Sequence, residues 1–195
     1  SFAGDDIRYD EMPKYVPQAV MAIEDRRFFD HFGIDPIGLV RAAYTNFQAG
    51  GVVQGGSTIT QQLAKNLFLQ ADRTMERKIQ EVVLALWLEL KFTKEEILQL
   101  YLNRVYFGAG AYGIEAAAKR YFGKSVRDVT LGEAAILAGL LKAPSNYNPI
   151  TKPQAAAERA RVVLNAMVEE KYITPDQARQ AIEKPAEVVG TTELP

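Results

Sequence analysis

The sequence predicts a mainly α-helical fold, because signals for helix starts recur along the chain while strand signals are few and short. At four expected helix starts a threonine is followed three residues later by Gln or Glu, which is the spacing of a capping box at a helix N-terminus. The pairs are Thr58 and Gln61, Thr93 and Glu96, Thr130 and Glu133, and Thr174 and Gln177. Between these signals the apolar residues recur at helical spacing, which favours packed helices over sheets.

Proline and glycine indicate the boundaries of the first helices. Pro17 fits the first turn of one helix, and Asp35-Pro36 caps a second helix that ends before Gly50-Gly51. A glycine-rich loop then leads into a third helix, which begins at Ser57 or Thr58. The first capping box therefore marks the start of a helix that follows the glycine-rich loop.

A long helix is predicted from residue 73 to about residue 91. We expect its apolar side chains on the buried side, because they recur at helical spacing. These side chains are Ile79, Val82, Val83, Leu86, Trp87 and Leu90. Further helices follow each later capping box and Pro153, and an alanine-rich helix extends to Tyr121. The aromatic, glycine-rich stretch 103–113 is expected to form turns.

Composition excludes several classes of function. The 195 residues carry a net charge of -1 at pH 7, so the overall charge does not favour nucleic acid or acidic membranes. The absence of cysteine rules out disulfides, a thiolate nucleophile and cysteine metal ligands, and the single histidine rules out a histidine-rich metal site. No apolar run reaches the length of a membrane span. Because the net charge is close to zero, any anion binding must depend on a local group of cations.

The segment 28–47 is unusually apolar for a surface element. Its apolar residues are Phe28, Phe29, Phe32, Ile34, Ile37, Leu39, Val40, Tyr44 and Phe47. These residues either pack the core or form a lobe that contacts lipid. The residues alone leave both alternatives open.

Two groups of charged residues are candidates for function. Glu24 and Asp25 are adjacent carboxylates, and Glu81 follows a cationic set that comprises Lys65, Arg73, Arg77 and Lys78. Bare amides at a helix N-terminus, followed by such cations, are suited to an anionic group. The alternative is a solvated helix face, because Arg77 and Lys78 are spaced to pair with Glu81.

Two carboxylates on separate helices are typical of chemistry at the anomeric carbon of a sugar. A glycosidase must protonate a poor alkoxide leaving group. A transferase that acts on a sugar diphosphate needs no such acid, since the diphosphate departs readily once its charge is neutralised. The cationic set therefore favours a transferase, although most glutamates near helix ends are simply solvated or paired.

Five stretches of the chain carry a resemblance to a known family. They are residues 24–33, 55–66, 77–81, 94–108 and 134–145, and the second reads GGSTITQQLAKN. In this order they resemble the signatures of the peptidoglycan glycosyltransferase domain of class A penicillin-binding proteins and of monofunctional peptidoglycan glycosyltransferases. The match covers most of the chain, and the second signature alone is long enough to be specific.

The resemblance implies a lysozyme-like, mainly α-helical fold with a larger lobe and a smaller membrane-facing lobe. It also implies the polymerisation of lipid II into β-1,4-linked glycan strands, with inversion at the anomeric carbon and release of undecaprenyl diphosphate. Residues 1–195 are expected to be a single excised domain of this kind, without its anchor. The chain contains no Ser-x-x-Lys and no Lys-Thr-Gly, so no transpeptidase activity is expected.

The resemblance also implies roles for individual residues. Glu24 would be the general base that takes the proton from the acceptor 4-hydroxyl, and Glu81 would assist on the donor side. The implied substrate-binding residues are Asp25, Ser57, Gln62, Lys65, Asn66, Arg73, Arg77 and Lys78. Among these, Asp25 would support Glu24 or meet a cation. The lone His31 is expected to be structural.

The implied partners are lipid II, the growing lipid-linked glycan chain and moenomycin-type phosphoglycolipid inhibitors, but no nucleic acid. The apolar segment 28–47 would meet the membrane surface. The expected location is the outer, periplasmic face of the bacterial cytoplasmic membrane. The signatures specify no cofactor, and they leave open whether the reaction uses a divalent cation, Mg²⁺ or Mn²⁺, near Glu81.

Two other functions are compatible with these residues. A lysozyme-like enzyme would use Glu24 as a general acid to cleave glycan, but the cationic set would then be unexplained. A non-catalytic module would bind cell-wall glycan or lipid, and replacing its carboxylates would change nothing but the affinity.

Overall fold

The computed structural model describes residues 6–51, 55–68, 70 and 72–189, and within them the fold is α-helical. The helices are α1 (Tyr15–Glu24), α2 (Pro36–Ala49), α3 (Ile59–Leu67), α4 (Met75–Lys91), α5 (Lys94–Arg104), α6 (Ile114–Phe122), α7 (Leu131–Leu140), α8 (Pro153–Glu169) and α9 (Pro175–Glu183). These described residues contain no strand, only an isolated antiparallel bridge between Tyr106 and Tyr112. The prediction of a mainly α-helical fold is confirmed.

The capping boxes predicted from the sequence start their helices. Thr58, Thr130 and Thr174 each accept a hydrogen bond from the amide three residues on, and the Gln or Glu at that position accepts one in return. Thr93 and Glu96 exchange the same two bonds ahead of α5. Each exchange satisfies two amides that a helix start otherwise leaves without an acceptor.

The contacts divide the chain into two units. The large unit consists of Ser1–Ile23 and Leu102–Pro195, and the small unit is Glu24–Tyr101. A division into a larger and a smaller unit agrees with the two lobes that the signatures imply. That residues 1–195 form a single lysozyme-like domain stays a prediction.

The core of the large unit is built around α7, which packs against α8 and also contacts α6 and α9. Helix α7 is apolar along almost its whole length, so it has no face suited to water. Its residues Ala134, Ala135, Leu137, Ala138 and Leu140 are buried. Small residues allow a close approach of α8, because a Cβ on Gly139 would lie 2.8 Å from Cγ of Arg159.

In the small unit, α3 packs against α4. Ile59, Leu63 and Ala64 supply the buried face of α3, while Ala85 and Leu88 supply that of α4. The contact depends on burial of aliphatic side chains, each of which contributes about 1.5–3 kcal/mol when fully removed from water. It holds the two helices that carry most of the candidate site.

The prediction about the buried side of α4 is wrong. Ile79, Val83, Trp87 and Leu90 are exposed, and Val82 and Leu86 are only half-buried. Helical spacing defines a face, but it does not determine which neighbour covers that face. Here α3 covers the side of α4 that carries Ala85 and Leu88. The exposed residues form what we call the α4 stripe: Met75, Ile79, Val83, Trp87 and Leu90.

The apolar segment 28–47 is mostly exposed. Phe28 is buried and Ile34 is half-buried, but Phe47 is 86% exposed and Val40 is 71% exposed. The exposed members are Phe29, Phe32, Ile37, Leu39, Val40, Tyr44 and Phe47, which we call the α2 surface. The alternative that this segment packs the core is therefore wrong for most of its residues. No helix in the described ranges is long and apolar enough to cross a membrane.

Candidate active site

The first signature turns sharply after α1. Glu24 is the last residue of α1 and is half-buried, and Asp25 follows it with only 8% of its surface exposed. Gly33 ends the turn with a φ of +85°, a conformation that favours glycine. A Cβ on Gly33 would lie 3.3 Å from the carbonyl oxygen of Ala85, so a larger residue would also crowd the α4 backbone.

The Asp25 carboxylate is held by two hydrogen-bond donors. Its Oδ2 accepts from His31 Nε2 at 2.7 Å and from the backbone amide of Ile59 at 3.0 Å. Ile59 is the first residue of α3, so its amide has no acceptor inside the helix. The positive end of the helix also favours a negative charge at this position. Asp25 therefore joins the end of α1 to the start of α3.

His31 is buried and both of its ring nitrogens are used inside the protein. Nδ1 accepts a hydrogen bond from the backbone amide of Gly33 at 3.1 Å, which leaves Nε2 to donate to Asp25. The hydroxyl of Thr58 strengthens the same turn by donating to the carbonyl oxygen of Gly33 at 2.7 Å. These contacts agree with the expected structural role of His31.

Lys94 completes this buried network from α5. Its Nζ donates to the carbonyl oxygen of His31 at 2.6 Å and to Glu89 Oε2 at 2.7 Å, and it lies 4.7 Å from the Phe28 ring centroid. Glu89 Oε2 also accepts from the hydroxyl of Thr60 at 2.8 Å. The Glu89 side chain is only 3% exposed, so its charge depends on these two donors.

The polar face of α3 carries three of the candidate residues. Gln62, Lys65 and Asn66 are spaced at i, i+3 and i+4, so they lie on one side of the helix. Gln62 is half-buried, whereas Lys65 and Asn66 are exposed. Ser57 is exposed just before the helix starts. The buried side of α3 is the opposite one, so these three side chains lie on the side that faces away from the core.

Tyr101 links this polar face to the first two carboxylates. Its hydroxyl donates to Gln62 Oε1 at 2.8 Å. The pKa of Tyr101 is raised well above its usual value, first because the side chain is buried and then because Glu24 and Asp25 are negatively charged. Both carboxylates therefore lie within electrostatic range of the hydroxyl that holds Gln62. That Glu24, Asp25 and Gln62 line one cleft stays a prediction.

Three of the candidate cations are not neutralised by any residue that the structure describes. Lys65 lies in the last turn of α3, Lys78 lies near the start of α4, and Arg73 lies in the link between them. All three are exposed, and none of them forms a salt bridge with any residue that the structure describes. Because α3 and α4 pack against each other and are joined by a short link, their connected ends lie on the same side of the small unit.

Arg77 has a different environment from the other three. Its Nη1 donates to the carbonyl oxygen of Gln70 at 2.6 Å, its Nε donates to Gln80 Oε1 at 3.1 Å, and its guanidinium lies 4.2 Å from the Phe68 ring centroid. These contacts brace the link between α3 and α4. The role of Arg77 in binding substrate stays a prediction.

Glu81 is half-buried on α4. It lies one turn before Ala85, so it belongs to the side of the helix that faces α3. The pairing of Glu81 with Arg77 or Lys78 that the spacing allowed is not formed among the described residues. That Glu24 and Glu81 face each other across one cleft stays a prediction.

Comparison with known proteins decides the family. A family model described as "Transglycosylase" matches residues 3–168. The chain belongs to the transglycosylase family. This result confirms the family recognised from the five signatures, and with it the prediction of an enzyme of the peptidoglycan glycosyltransferase class. The expected relationship to penicillin-binding proteins is confirmed by the relatives that follow.

Relatives of this transglycosylase chain are much longer proteins. The chain is 56% identical over 182 residues to Penicillin-binding protein 1A of Aquifex aeolicus (strain VF5), which covers 93% of this chain and 25% of that protein. It is 51% identical over 168 residues to Penicillin-binding protein 1A of Vibrio cholerae, covering 86% and 20%. For Penicillin-binding protein 1F of Bacillus subtilis (strain 168) the identity is 48% over 172 residues, covering 88% and 24%. The chain therefore spans a quarter or less of these relatives.

A crystal structure of Penicillin-Binding Protein 1A from Haemophilus influenzae is similar in part. It is 36% identical in sequence, the alignment covers 66% of this chain and 16% of that chain, and the TM-score is 0.48. The overlap is too partial to bear on the fold of the transglycosylase chain.

No role was predicted for four residues that form hydrogen bonds in this part of the structure: Thr60, Glu89, Lys94 and Tyr101. Tyr101 and Lys94 fall inside the fourth signature, and Thr60 falls inside the second. Their position within a signature was the one feature of the sequence that pointed to them. Glu89 had no such feature, because it lies between signatures and its partners are distant in sequence. Hydrogen bonds between separate helices cannot be read from spacing along one helix.

Proposed function

We propose that this transglycosylase domain polymerises lipid II into β-1,4-linked glycan strands and releases undecaprenyl diphosphate. The observation that carries this proposal is the set of exposed cations at the connected ends of α3 and α4, Lys65, Arg73 and Lys78, which form no salt bridge with a described residue. A diphosphate departs readily only when its developing charge is stabilised, and exposed ammonium and guanidinium groups supply that stabilisation. A glycan-cleaving enzyme would have no diphosphate for them to bind.

Glu24 is the general base of the proposed reaction. It takes the proton from the acceptor 4-hydroxyl while the acceptor oxygen forms a bond to the anomeric carbon of the donor. The bond between that carbon and the diphosphate oxygen breaks on the opposite side, so the configuration is inverted. The assignment is supported by the neighbouring carboxylate, since Asp25 is already committed to His31 and Ile59.

Glu81 acts on the donor side in this proposal. A divalent cation bound there would neutralise charge on the diphosphate. The described residues contain no group of three or more His, Cys, Asp or Glu side chains that could hold a metal by themselves. Glu81 with substrate phosphate oxygens would fit Mg²⁺, which retains water and uses one or two carboxylates.

The substrates are lipids, and the small unit carries the surfaces that suit them. The α2 surface and the α4 stripe both expose large apolar side chains, which is unusual unless they meet a membrane or a partner. We therefore place the domain at the outer face of the bacterial cytoplasmic membrane, with these surfaces against lipid. Phosphoglycolipids of the moenomycin type combine a phosphate with a lipid chain, so they would occupy the same site.

The first prediction concerns the proposed base. Glu24→Gln keeps the size of the side chain but cannot accept the proton, so glycan polymerisation should fall by about 10²- to 10⁴-fold. The measurement is incubation with lipid II followed by sizing of the glycan products, with circular dichroism to verify the fold. Near-normal turnover would remove Glu24 as the base. Shortening of preformed glycan by the unaltered chain would favour cleavage instead.

The second prediction concerns the phosphate site. Lys78→Ala should weaken binding of undecaprenyl diphosphate by about tenfold or more, because a hydrogen bond to a charged group contributes about 1.5–3 kcal/mol. Lys91→Ala is the matched control, since Lys91 is an exposed lysine at the other end of the same helix. Equal effects of the two changes would mean that Lys78 belongs to an ordinary solvated face.

The third prediction concerns the membrane. Replacing Val40 and Phe47 by Ser should reduce binding to phosphatidylglycerol–phosphatidylcholine vesicles in a sedimentation assay, since each large apolar side chain contributes about 1.5–3 kcal/mol when buried in lipid. Ile79→Ser with Leu90→Ser tests the α4 stripe in the same way. Val162→Ser on α8 is the control, because Val162 is 49% exposed in the large unit. Membrane contact through these surfaces is rejected if the control loses as much binding.

A further inference from the structure

We propose that Tyr101 is a positioning residue that fixes the orientation of the Gln62 carboxamide, so that its NH₂ group is presented to an oxygen atom of the substrate. The inference rests on the proposed function, since it concerns the same site. Tyr101 lies on α5 and has only 1% of its surface exposed, so it does not itself reach substrate. Its action is on the half-buried side chain of Gln62.

The hydrogen bond defines which end of the carboxamide is occupied. The Tyr101 hydroxyl donates to Gln62 Oε1 at 2.8 Å. A carboxamide has an acceptor end and a donor end, so occupying the oxygen leaves the two N–H groups for another partner. Gln62 shares its side of α3 with Lys65 and Asn66, so the remaining donors lie among the other candidate substrate-binding groups.

The surroundings of Tyr101 keep its hydroxyl a donor. Burial and the charges of Glu24 and Asp25 raise the pKa of Tyr101, so the hydroxyl remains protonated across the physiological range. A protonated buried hydroxyl requires an acceptor, and Gln62 Oε1 provides it. The same carboxylates lie on the acceptor side of the proposed reaction.

The chemistry of the NH₂ group identifies what it binds. A neutral donor in a site with exposed cations suits an oxygen acceptor of the substrate, either a phosphate oxygen or an amide carbonyl of the sugar or its peptide. Undecaprenyl diphosphate carries only the phosphate oxygens, whereas lipid II carries both. Binding of these two molecules therefore distinguishes the two sources of the acceptor.

The test is a set of kinetic measurements on the full chain. Tyr101→Phe removes one oxygen atom and should raise the KM for lipid II by about three- to tenfold with little change in kcat. Gln62→Ala should raise the KM at least as much, and the double variant should be no worse than Gln62→Ala alone. A parallel loss of affinity for undecaprenyl diphosphate would assign the NH₂ group to phosphate, and its absence would assign it to the disaccharide-peptide.

Two variants separate positioning from general stability. Tyr121→Phe is the matched control, because the buried Tyr121 hydroxyl also donates one hydrogen bond, at 2.7 Å to the carbonyl oxygen of Phe107 in the large unit. It should lower the unfolding temperature as Tyr101→Phe does, but leave the KM unchanged. Gln62→Glu keeps an acceptor for Tyr101 and removes the NH₂ group, so it should raise the KM.

Two results would overturn the inference. One is an unchanged KM for Tyr101→Phe, or an increase that Tyr121→Phe reproduces. The other is independent, additive losses from Tyr101→Phe and Gln62→Ala, since residues that act through one another should be non-additive. Absence of polymerisation by the unaltered chain would reject the proposed function instead, so the two failures are distinguishable.

Discussion

The arrangement of the small unit depends on the Asp25 carboxylate. One oxygen of this buried side chain accepts from His31 and from the first amide of α3. Without it, that amide would be buried at a helix start with no acceptor, which costs about 1–3 kcal/mol. The same bond fixes where α3 starts relative to the first signature, residues 24–33. The position of Glu24, one residue earlier, follows from this constraint.

The two adjacent acids have different surroundings. Asp25 is occupied by structural hydrogen bonds, while Glu24 lies half-buried within electrostatic range of Tyr101. Lys94 and Glu89 form a largely buried ion pair. Lys94 also holds the turn of the first signature, because it donates to the carbonyl oxygen of His31. The cost of burying these charges is met by hydrogen bonds within the small unit, and the cations at the ends of α3 and α4 remain exposed. The charged groups of the small unit thus fall into two sets. Asp25, Glu89 and Lys94 form hydrogen bonds inside the protein, whereas the cations at the ends of α3 and α4 are exposed to an incoming anion.

The sequence was sufficient to predict the helices, because their starts depend on local contacts. Thr58 and Gln61 form their capping box within four residues, and Gly50 ends α2 in the left-handed conformation that favours glycine. The burial of Trp87 was predicted wrongly, since burial depends on which helix packs against α4. The hydrogen bond between Tyr101 and Gln62 could not be predicted from the sequence either, because these residues lie 39 positions apart and meet only when α3 and α5 are packed. The signatures supplied candidate residues for the site, but not the hydrogen bonds that position them.

Amide hydrogen exchange at Ile59 measures the central constraint directly. The first amide of a helix normally exchanges quickly, because it lacks an intrahelical acceptor. If the Asp25 carboxylate joins α1 to α3, the Ile59 amide should be as protected as that of Leu63 in the buried interior of α3. The amide of Met75, which occupies the first position of α4 and is exposed, should exchange quickly. Exchange of Ile59 at the rate of Met75 would contradict this account.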